Sequence, residues 1–174
     1  INFGENNTDF IVFSGQSVRF TYSIPISSRL LTKAISEYLK IDFNEAEKLK
    51  IECGLSKEKT NEKAEKVAQI ISPILEDLTG QIKKYINFYR DHSSYEYLLP
   101  DGKIEKILLF GEGAELKGLA DFMSEKLEVP VELGDPLINL LSKKPKIIAN
   151  KNMISFTTAI GLASRQINNY SEKP

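Results

Sequence analysis

The N-terminal segment alternates between short apolar runs and polar turns. Residues 1–3, 10–13 and 18–23 are rich in β-branched and aromatic side chains, which is typical of strands. The intervening "GENNT" and "SGQ" are turn sequences. Because strands joined by such short turns pair in the antiparallel sense, the pattern predicts a three-stranded antiparallel meander at the start of the chain.

The period of the apolar positions then becomes helical. "IPISSRLLTKAISEYLK" predicts an amphipathic helix with its serines as candidate N-caps, and "DFNEAEKLKIECGL" predicts a second helix ending at Gly54. Helical spacing continues from residue 60 to about residue 89. We expect Pro73 and Gly80 to kink or divide this long helix, since proline has no amide hydrogen and glycine is a poor helix former.

The C-terminal half predicts a strand, a helix and a strand in succession. After a polar, hairpin-like connection, "HSSYEYLLPDGK", the run "IEKILLF" is a strongly apolar strand candidate. "GEGAELKGLADFMSEKLEVPVEL" adds a glycine turn, an amphipathic helix and a short strand around residues 129–132. This order implies parallel pairing with a right-handed crossover. "NKNMISFTTAIGLASRQI" predicts a closing helix that is rich in small residues.

The order of these elements indicates an α/β fold of the ribonuclease-H-like type. Three antiparallel strands, a helix, a helical insertion, a strand, a helix, a strand and a final helix imply a mixed five-stranded sheet. We therefore predict a ribonuclease-H-like subdomain made of residues 1–40 and 100–174, with residues 41–99 forming an inserted helical subdomain.

Composition and charge exclude some classes of function. Of the 174 residues, 41% are apolar and 27% are charged, as in ordinary globular proteins, and 23 basic against 24 acidic residues leave a net charge of -1. Without a basic field, nucleic acid is not expected as a partner. Cys53 is the single cysteine, which excludes an internal disulfide and favours a cytoplasmic location. No run approaches the roughly 18 apolar residues that span a bilayer, so we expect no direct membrane insertion.

Two glycine-containing turns are candidate anion sites. In "FGENNT", Gly4 permits unusual backbone angles, and main-chain N–H groups with the side chains of Asn7 and Thr8 could hold an anion. In "LLFGEGAELKG", Gly111 and Gly113 lie between a strand and a helix, where a nucleotide could approach the backbone. An ordinary hairpin turn and an ordinary strand-to-helix turn remain open alternatives. The second turn is neither a P-loop nor a dinucleotide fingerprint.

The third candidate is the charged pair in "EAEKLK". Glu47 and Lys50 are three residues apart and share a helix face, so they could grip a ribose and a base or form a surface ion pair. His92 is the only histidine and stands in a polar "RDHSS" stretch. A catalytic triad, a histidine metal site and a Cys-His pair are therefore poorly supported, and no catalytic residue is predicted.

Five segments together carry a resemblance to a known family. "INFGENNTDFIVF", "IPISSRLLTKAI", "EAEKLK", "KILLFGEGAELKGLADFMSEKLEVPVEL" and "TTAIGLASR" resemble, in order and spacing, the C-terminal half of the actin-like ATPases. The likeness is to the type IV pilus assembly family PilM and to its relative, the cell-division family FtsA. It covers residues 1 to about 165. The resemblance implies the second of two lobes around a nucleotide cleft, starting at the phosphate-contacting turn, with the N-terminal lobe absent from this chain.

The resemblance also implies roles for the candidate residues. Gly4, Asn7 and Thr8 would face the β- and γ-phosphates. Glu47 and Lys50 would face the adenosine. Gly111 and Gly113 would face the ribose and the α-phosphate, and the helix from Ile154 would pack behind the cleft. ATP or ADP with Mg²⁺ are the implied cofactors, both bound weakly or not at all by the isolated lobe.

Five positions depart from the family pattern. Asn2 stands where the family has an aspartate that helps to hold Mg²⁺, and Glu5 stands where it prefers a small residue. Ser27 and Ser28 replace a glycine pair, and Glu112 interrupts the usual run of three glycines. A neutral amide loses the charge that favours a metal ion. We therefore expect Asn2 to be a weak metal contact and the protein to be at most a weak ATPase.

The resemblance implies a nucleotide-binding cytoplasmic assembly component of a type IV pilus machine. It would sit peripherally at the inner membrane through the cytoplasmic tail of a pilus assembly protein, held mainly by the missing N-terminal lobe. Self-association of the lobe is a further expectation. The tail "INNYSEKP" lacks the amphipathic helix of the division relatives, which favours the pilus family. The alternatives are a scaffold that has lost nucleotide binding, an FtsA-like division protein, and a small-molecule phosphotransferase.

Overall fold

The strands form a mixed sheet. The computed structural model describes residues 1–14, 17–55, 62–92, 104–138 and 153–171. Its described strands are β1 (Asn2–Phe3), β2 (Thr8–Ser14), β3 (Ser17–Ile24), β4 (Ile107–Leu109) and β5 (Val131–Leu133). The chain pairs β2 antiparallel with both β1 and β3, whereas β4 and β5 are parallel. The meander and the parallel pair are both confirmed.

One contact joins the two groups of strands. Asn2 and Phe110 form an isolated parallel bridge, and the Phe3 N–H donates to the oxygen of Phe110 over 2.8 Å. The described strands therefore lie in the order β3, β2, β1, β4, β5. This order confirms the predicted α/β, ribonuclease-H-like sheet.

Helices fill the connections. They are α1 (Ser28–Leu39), α2 (Phe43–Cys53), α3 (Glu62–His92), α4 (Leu119–Leu127) and α5 (Thr157–Ser171), with 3₁₀ turns at Glu112–Glu115 and Met153–Phe156. Ser27 caps α1 through its hydroxyl and Asp42 caps α2 through its carboxylate, which fixes both starts. Residues 93–103, which contain most of the predicted hairpin-like connection, lie outside the described residues.

The long helix is not divided as the sequence suggested. Pro73 lies inside α3, which continues through Gly80 to His92, so the expectation that the helix is divided is wrong, whereas the expected kink stays a prediction. The physical reason is the apolar face of the helix, because one lost hydrogen bond is outweighed when a whole stripe is buried. Its fully buried members are Val67, Ile71, Leu75, Leu78 and Ile82.

Helix α3 is fixed on two sides. Towards the sheet, the ring of Tyr85 lies 3.9 Å from that of Tyr22 on β3, measured between centroids. Towards α4, Lys126 pairs with Glu76 over 2.7 Å, while Lys83 reaches Glu128 just beyond the helix. The division of the chain into residues 1–40 with 100–174 and an inserted 41–99 stays a prediction.

Candidate functional site

The turn between β1 and β2 presents main-chain donors. The Gly4 N–H donates to the oxygen of Asn7 over 3.0 Å and closes the turn. Among the described residues, no acceptor is found for the main-chain N–H groups of Glu5, Asn6 and Asn7. Successive unengaged N–H groups in a turn are suited to an anion.

The side chains of this turn are already engaged by the protein. Thr8 is fully buried, and its hydroxyl donates to the main-chain oxygen of Ile26 over 2.6 Å. The Asn7 amide donates to Asp9 Oδ1 over 2.6 Å and to Ser23 Oγ over 2.8 Å. The main chain of the turn, more than the side chains of Asn7 and Thr8, is therefore free to meet a ligand.

Asp9 is a site residue that the sequence analysis missed. Its carboxylate accepts hydrogen bonds from Asn7, from the Ser23 hydroxyl over 2.5 Å and from the Asn2 amide over 3.5 Å. The strand register explains the contacts with Asn2 and Ser23, because Asp9 lies opposite Asn2 on β1 and opposite Ser23 on β3. A carboxylate directly before a predicted strand, next to a polar turn, is the signal that could have found it.

The Glu47–Lys50 ion pair is partly buried, whereas the sequence also allowed an ion pair at the surface. Lys50 is 5% exposed, and its Nζ lies 2.8 Å from Glu47 Oε2. The same ammonium donates to Ser28 Oγ over 2.7 Å, to the Ser28 main-chain oxygen over 3.2 Å and to Thr32 Oγ1 over 2.9 Å. Thr32 also donates to Glu47 Oε2 over 2.5 Å.

Glu47 and Lys50 differ in how much of each side chain remains available to a ligand. Within the described part of the chain, Glu47 uses only Oε2, and 31% of its side chain is exposed. Glu47 Oε1 can therefore accept from a ligand hydroxyl. Lys50 is surrounded by protein oxygens, so its position suits it to orienting Glu47 and to compensating the carboxylate charge.

The second glycine turn packs on β1. Gly111 has φ +93°, and a Cβ there would lie 2.5 Å from Asn2 Oδ1 and 2.6 Å from the Phe3 oxygen. A Cβ on Gly113 would lie 2.6 Å from the Phe3 ring. The Gly111 N–H donates to the oxygen of Ile154 over 3.3 Å, which ties the turn to the segment that leads into α5. Glycine is required here by close packing and, at Gly111, also by backbone angle.

Ser28 joins the three parts of the site. Its N–H donates to the Gly4 oxygen over 3.0 Å, and both its oxygens accept from Lys50. A Cβ on Gly113 would lie 3.0 Å from Ser28 Cβ. The structure thus brings together the first turn, the Glu47–Lys50 pair and the second glycine turn, which are distant in sequence.

The site holds little that would bind a metal ion by itself. Asp9 supplies a carboxylate and Asn2 an amide, and among the described residues no group of three or more histidine, cysteine or acidic side chains could hold a metal. Such a set fits an ion that takes its other ligands from phosphates and water, as Mg²⁺ commonly does. The described helices include none with the length and apolar character required to cross a bilayer.

Comparisons with known proteins give a consistent family. The family model described as cell division protein FtsA matches residues 1–161. FtsA of Pseudomonas aeruginosa is 26% identical in an alignment of 150 positions that covers 78% of this chain and 35% of that protein. FtsA of Buchnera aphidicola is 24% identical over 93% of this chain and 42% of that protein. The chain therefore spans less than half the length of these curated relatives.

Solved structures show the same fold. The PilM–PilN type IV pilus biogenesis complex matches with a TM-score of 0.71 and 23% identity, over 93% of this chain and 43% of that one. MreB5 of Spiroplasma citri bound to AMPPNP matches with a TM-score of 0.70 and 13% identity, over 98% and 53% of the two chains. These likenesses confirm the actin-like fold, of which this chain spans about half.

Proposed function

Because this chain belongs to the FtsA family of the actin-like ATPases, we propose that it is the nucleotide-binding C-terminal lobe of a PilM-like assembly protein. The proposed protein is a cytoplasmic component of a type IV pilus machine. The observation that carries nucleotide binding is the run of three main-chain N–H groups at Glu5, Asn6 and Asn7 without a protein acceptor in the described chain. Within the described residues, no protein acceptor competes with a phosphate oxygen for these donors.

The rest of the site supplies complementary contacts. We assign the β- and γ-phosphates to the turn that contains Gly4, Asn7 and Thr8, with the main-chain N–H groups of Glu5, Asn6 and Asn7 as the donors. Glu47 accepts from the ribose through Oε1, while Lys50 orients it. Solved MreB5 structures, which share the fold, were determined with AMPPNP and with ADP, which supports ATP or ADP as the ligand class.

The glycine turn completes the ligand contacts. We assign the ribose and the α-phosphate to the main chain at Gly111 and Gly113. Both glycines are buried against β1, so the main chain at this position is held firmly. A bound nucleotide would then be contacted from the turn, from α2 and from this second turn.

Magnesium, where present, would be held by Asp9 with Asn2 beside it. Asp9 brings the negative charge that Asn2 lacks, and three donors fix its orientation. Mg²⁺ would supply charge neutralisation for the phosphates. Because no catalytic residue is predicted, any hydrolysis is expected to be slow.

A titration with fluorescent ADP tests nucleotide binding. It uses the full-length protein, with and without Mg²⁺, and the variant Glu47→Gln. Glu45→Gln is the matched control, since it removes the same charge from an exposed position of the same helix. We expect saturable binding that Glu47→Gln weakens and Glu45→Gln preserves. Absence of saturable binding in the wild type would instead favour the scaffold that has lost its ligand.

The pilus assignment is supported by the match to PilM over 93% of the chain. PilM was solved with PilN, so we propose that a membrane-anchored pilus protein recruits this protein to the inner membrane through its cytoplasmic tail. The missing N-terminal lobe would carry most of that contact and would close the nucleotide cleft. Self-association of the isolated lobe is also proposed.

A division role is the second candidate, because the matching family model and both curated relatives are FtsA. Deleting the gene separates the two. Loss of surface pili at normal cell length supports the pilus machine, whereas filamentous cells with intact pili support division. Phosphorylation of small molecules from ATP by the purified protein would favour the phosphotransferase alternative.

A further inference from the structure

An ion pair spans the first turn and the start of α1. Arg29 Nη1 lies 2.9 Å from Glu5 Oε1. The main chains are bonded at the same place, because the Arg29 N–H donates to the oxygen of Glu5 over 3.2 Å and the Ser28 N–H to that of Gly4. The pair therefore sits directly on the turn in which the N–H groups of Glu5, Asn6 and Asn7 have no acceptor among the described residues.

Arg29 and Glu5 differ in how firmly they are held. The guanidinium lies over the ring of Phe43, with 5.3 Å from its Cζ to the ring centroid, which gives it a second contact besides the carboxylate. Glu5 has no other partner among the described side chains. Both are more than half exposed, at 58% for Arg29 and 51% for Glu5. Ion pairs of this kind are weak and exchange their partners readily.

We infer that Arg29 is a phosphate-binding residue that exchanges Glu5 for the nucleotide. Glu5 pairs with Arg29 when no nucleotide is bound at the turn. This inference rests on the proposed nucleotide site. A phosphate carries more charge than a carboxylate and fits the guanidinium with two parallel hydrogen bonds, so it is the stronger partner. Arg29 provides positive charge at a site where Asn2 supplies no carboxylate for a metal ion.

The exchange gives the two residues opposite effects on affinity. Removing Arg29 takes away a phosphate ligand and leaves the Glu5 charge uncompensated beside the phosphates. Removing the Glu5 charge frees Arg29 and relieves repulsion. Both effects grow with the charge of the ligand, so they are larger for ATP than for ADP. If the pair only stabilised the turn, replacing either residue would instead weaken nucleotide binding.

Displacement of fluorescent ADP by unlabelled ATP and ADP tests this in the full-length protein. We expect Arg29→Gln to weaken ATP binding about tenfold, through loss of a charge-assisted contact. We expect Glu5→Gln to tighten it about threefold, as befits a weak competing pair. Lys33→Gln is the control, because it removes a positive charge from the same helix at an exposed position paired with Glu37. Circular dichroism checks that each variant is folded.

The outcomes separate the two proposals. Suppose that the wild type binds ATP. If Arg29→Gln and Glu5→Gln each change the ATP affinity by less than twofold, or both change it in the same direction, the exchange is overturned while the nucleotide site is retained. Binding by Glu5→Gln alone, with none by the wild type, supports the exchange in its strongest form. Absence of binding in every variant overturns the nucleotide site and the exchange together.

Discussion

Lys117 donates a hydrogen bond from Nζ to the main-chain oxygen of Glu52 over 2.5 Å. The oxygen of Lys117 in turn accepts from the Leu55 N–H over 2.8 Å. A cation at the carboxyl end of a helix satisfies a carbonyl that has no intrahelical partner and opposes the helix dipole. The segment after the second glycine turn is thereby fixed to α2, the helix that carries Glu47 and Lys50.

Replacing Lys117 with Met should loosen this connection. We expect Lys117→Met to lower the free energy of unfolding by about 1 kcal/mol, because the residue is exposed and loses one charge-assisted hydrogen bond. Urea denaturation measures it. Lys106→Met is the matched control, since Lys106 is paired with Glu132 at the surface, and it should cost less than about 0.5 kcal/mol. Equal losses in the two variants would contradict the connection.

Lys50 should matter far more to stability than an ordinary helix lysine. Lys50→Met removes an ammonium with four oxygen contacts and leaves Glu47, Ser28 and Thr32 without their shared donor. We expect a loss of about 2–3 kcal/mol, since Glu47 keeps some solvent to compensate its charge. Chemical denaturation measures the loss.

Two further variants check that result. Lys33→Met on the exposed face of α1 should stay within about 0.5 kcal/mol of the wild type. In a double-mutant cycle, Lys50→Met combined with Glu47→Gln should cost less than the sum of the single changes, because the two residues share one network. Strict additivity would show that the pair is not coupled.

The sequence predicted the elements well because their signals are local. Alternation in β2 buries Phe10 and Val12 and exposes Ile11 and Phe13, and that period is visible in the amino-acid sequence. The order of elements, with the family resemblance, was sufficient for the ribonuclease-H-like fold. The expected division of the helix at Pro73 was wrong. It considered the hydrogen bond lost at the proline without the apolar packing that compensates for it.

The site was harder because its contacts are long-range. Lys50 reaches Ser28 across 22 positions, so its burial cannot be read from its place in "EAEKLK". The role of Asp9 depends on the register of two strand pairs, which periodicity alone does not set. Glu5 and Arg29 are ordinary surface charges until the turn is placed on the start of α1.

Gly111 and Gly80 should respond in opposite ways to the same substitution. Gly111→Ala puts a methyl group 2.6 Å from the Phe3 oxygen at φ +93°, and we expect a loss of about 2–4 kcal/mol. Gly80→Ala lies inside α3 with nothing within 4 Å, and we expect a gain of about 0.5–1 kcal/mol from helix propensity. Thermal unfolding measures both. A destabilised Gly80→Ala would mean that α3 is interrupted there in solution.

The contact between Tyr22 and Tyr85 makes stability depend on pH in the alkaline range. A hydrogen bond with Tyr22, followed by burial, raises the pKa of Tyr85 from 10.0 to about 12. The neutral phenol is thus favoured in the folded state. The stabilisation is complete below pH 10 and is lost as the pH rises towards 12, because the unfolded chain releases this proton first.

Tyr22→Phe should remove this pH dependence. Without the Tyr22 hydroxyl, the pKa of Tyr85 should return towards its ordinary value, because its largest cause is gone while the ring contact at 3.9 Å remains. Titration of phenolate absorbance, with unfolding followed at each pH, measures both effects. Tyr38→Phe is the control, since Tyr38 is 73% exposed on α1 and should leave the Tyr85 titration unchanged. A Tyr85 pKa that stays raised in Tyr22→Phe would assign the shift to burial beneath β3 instead of to the hydrogen bond.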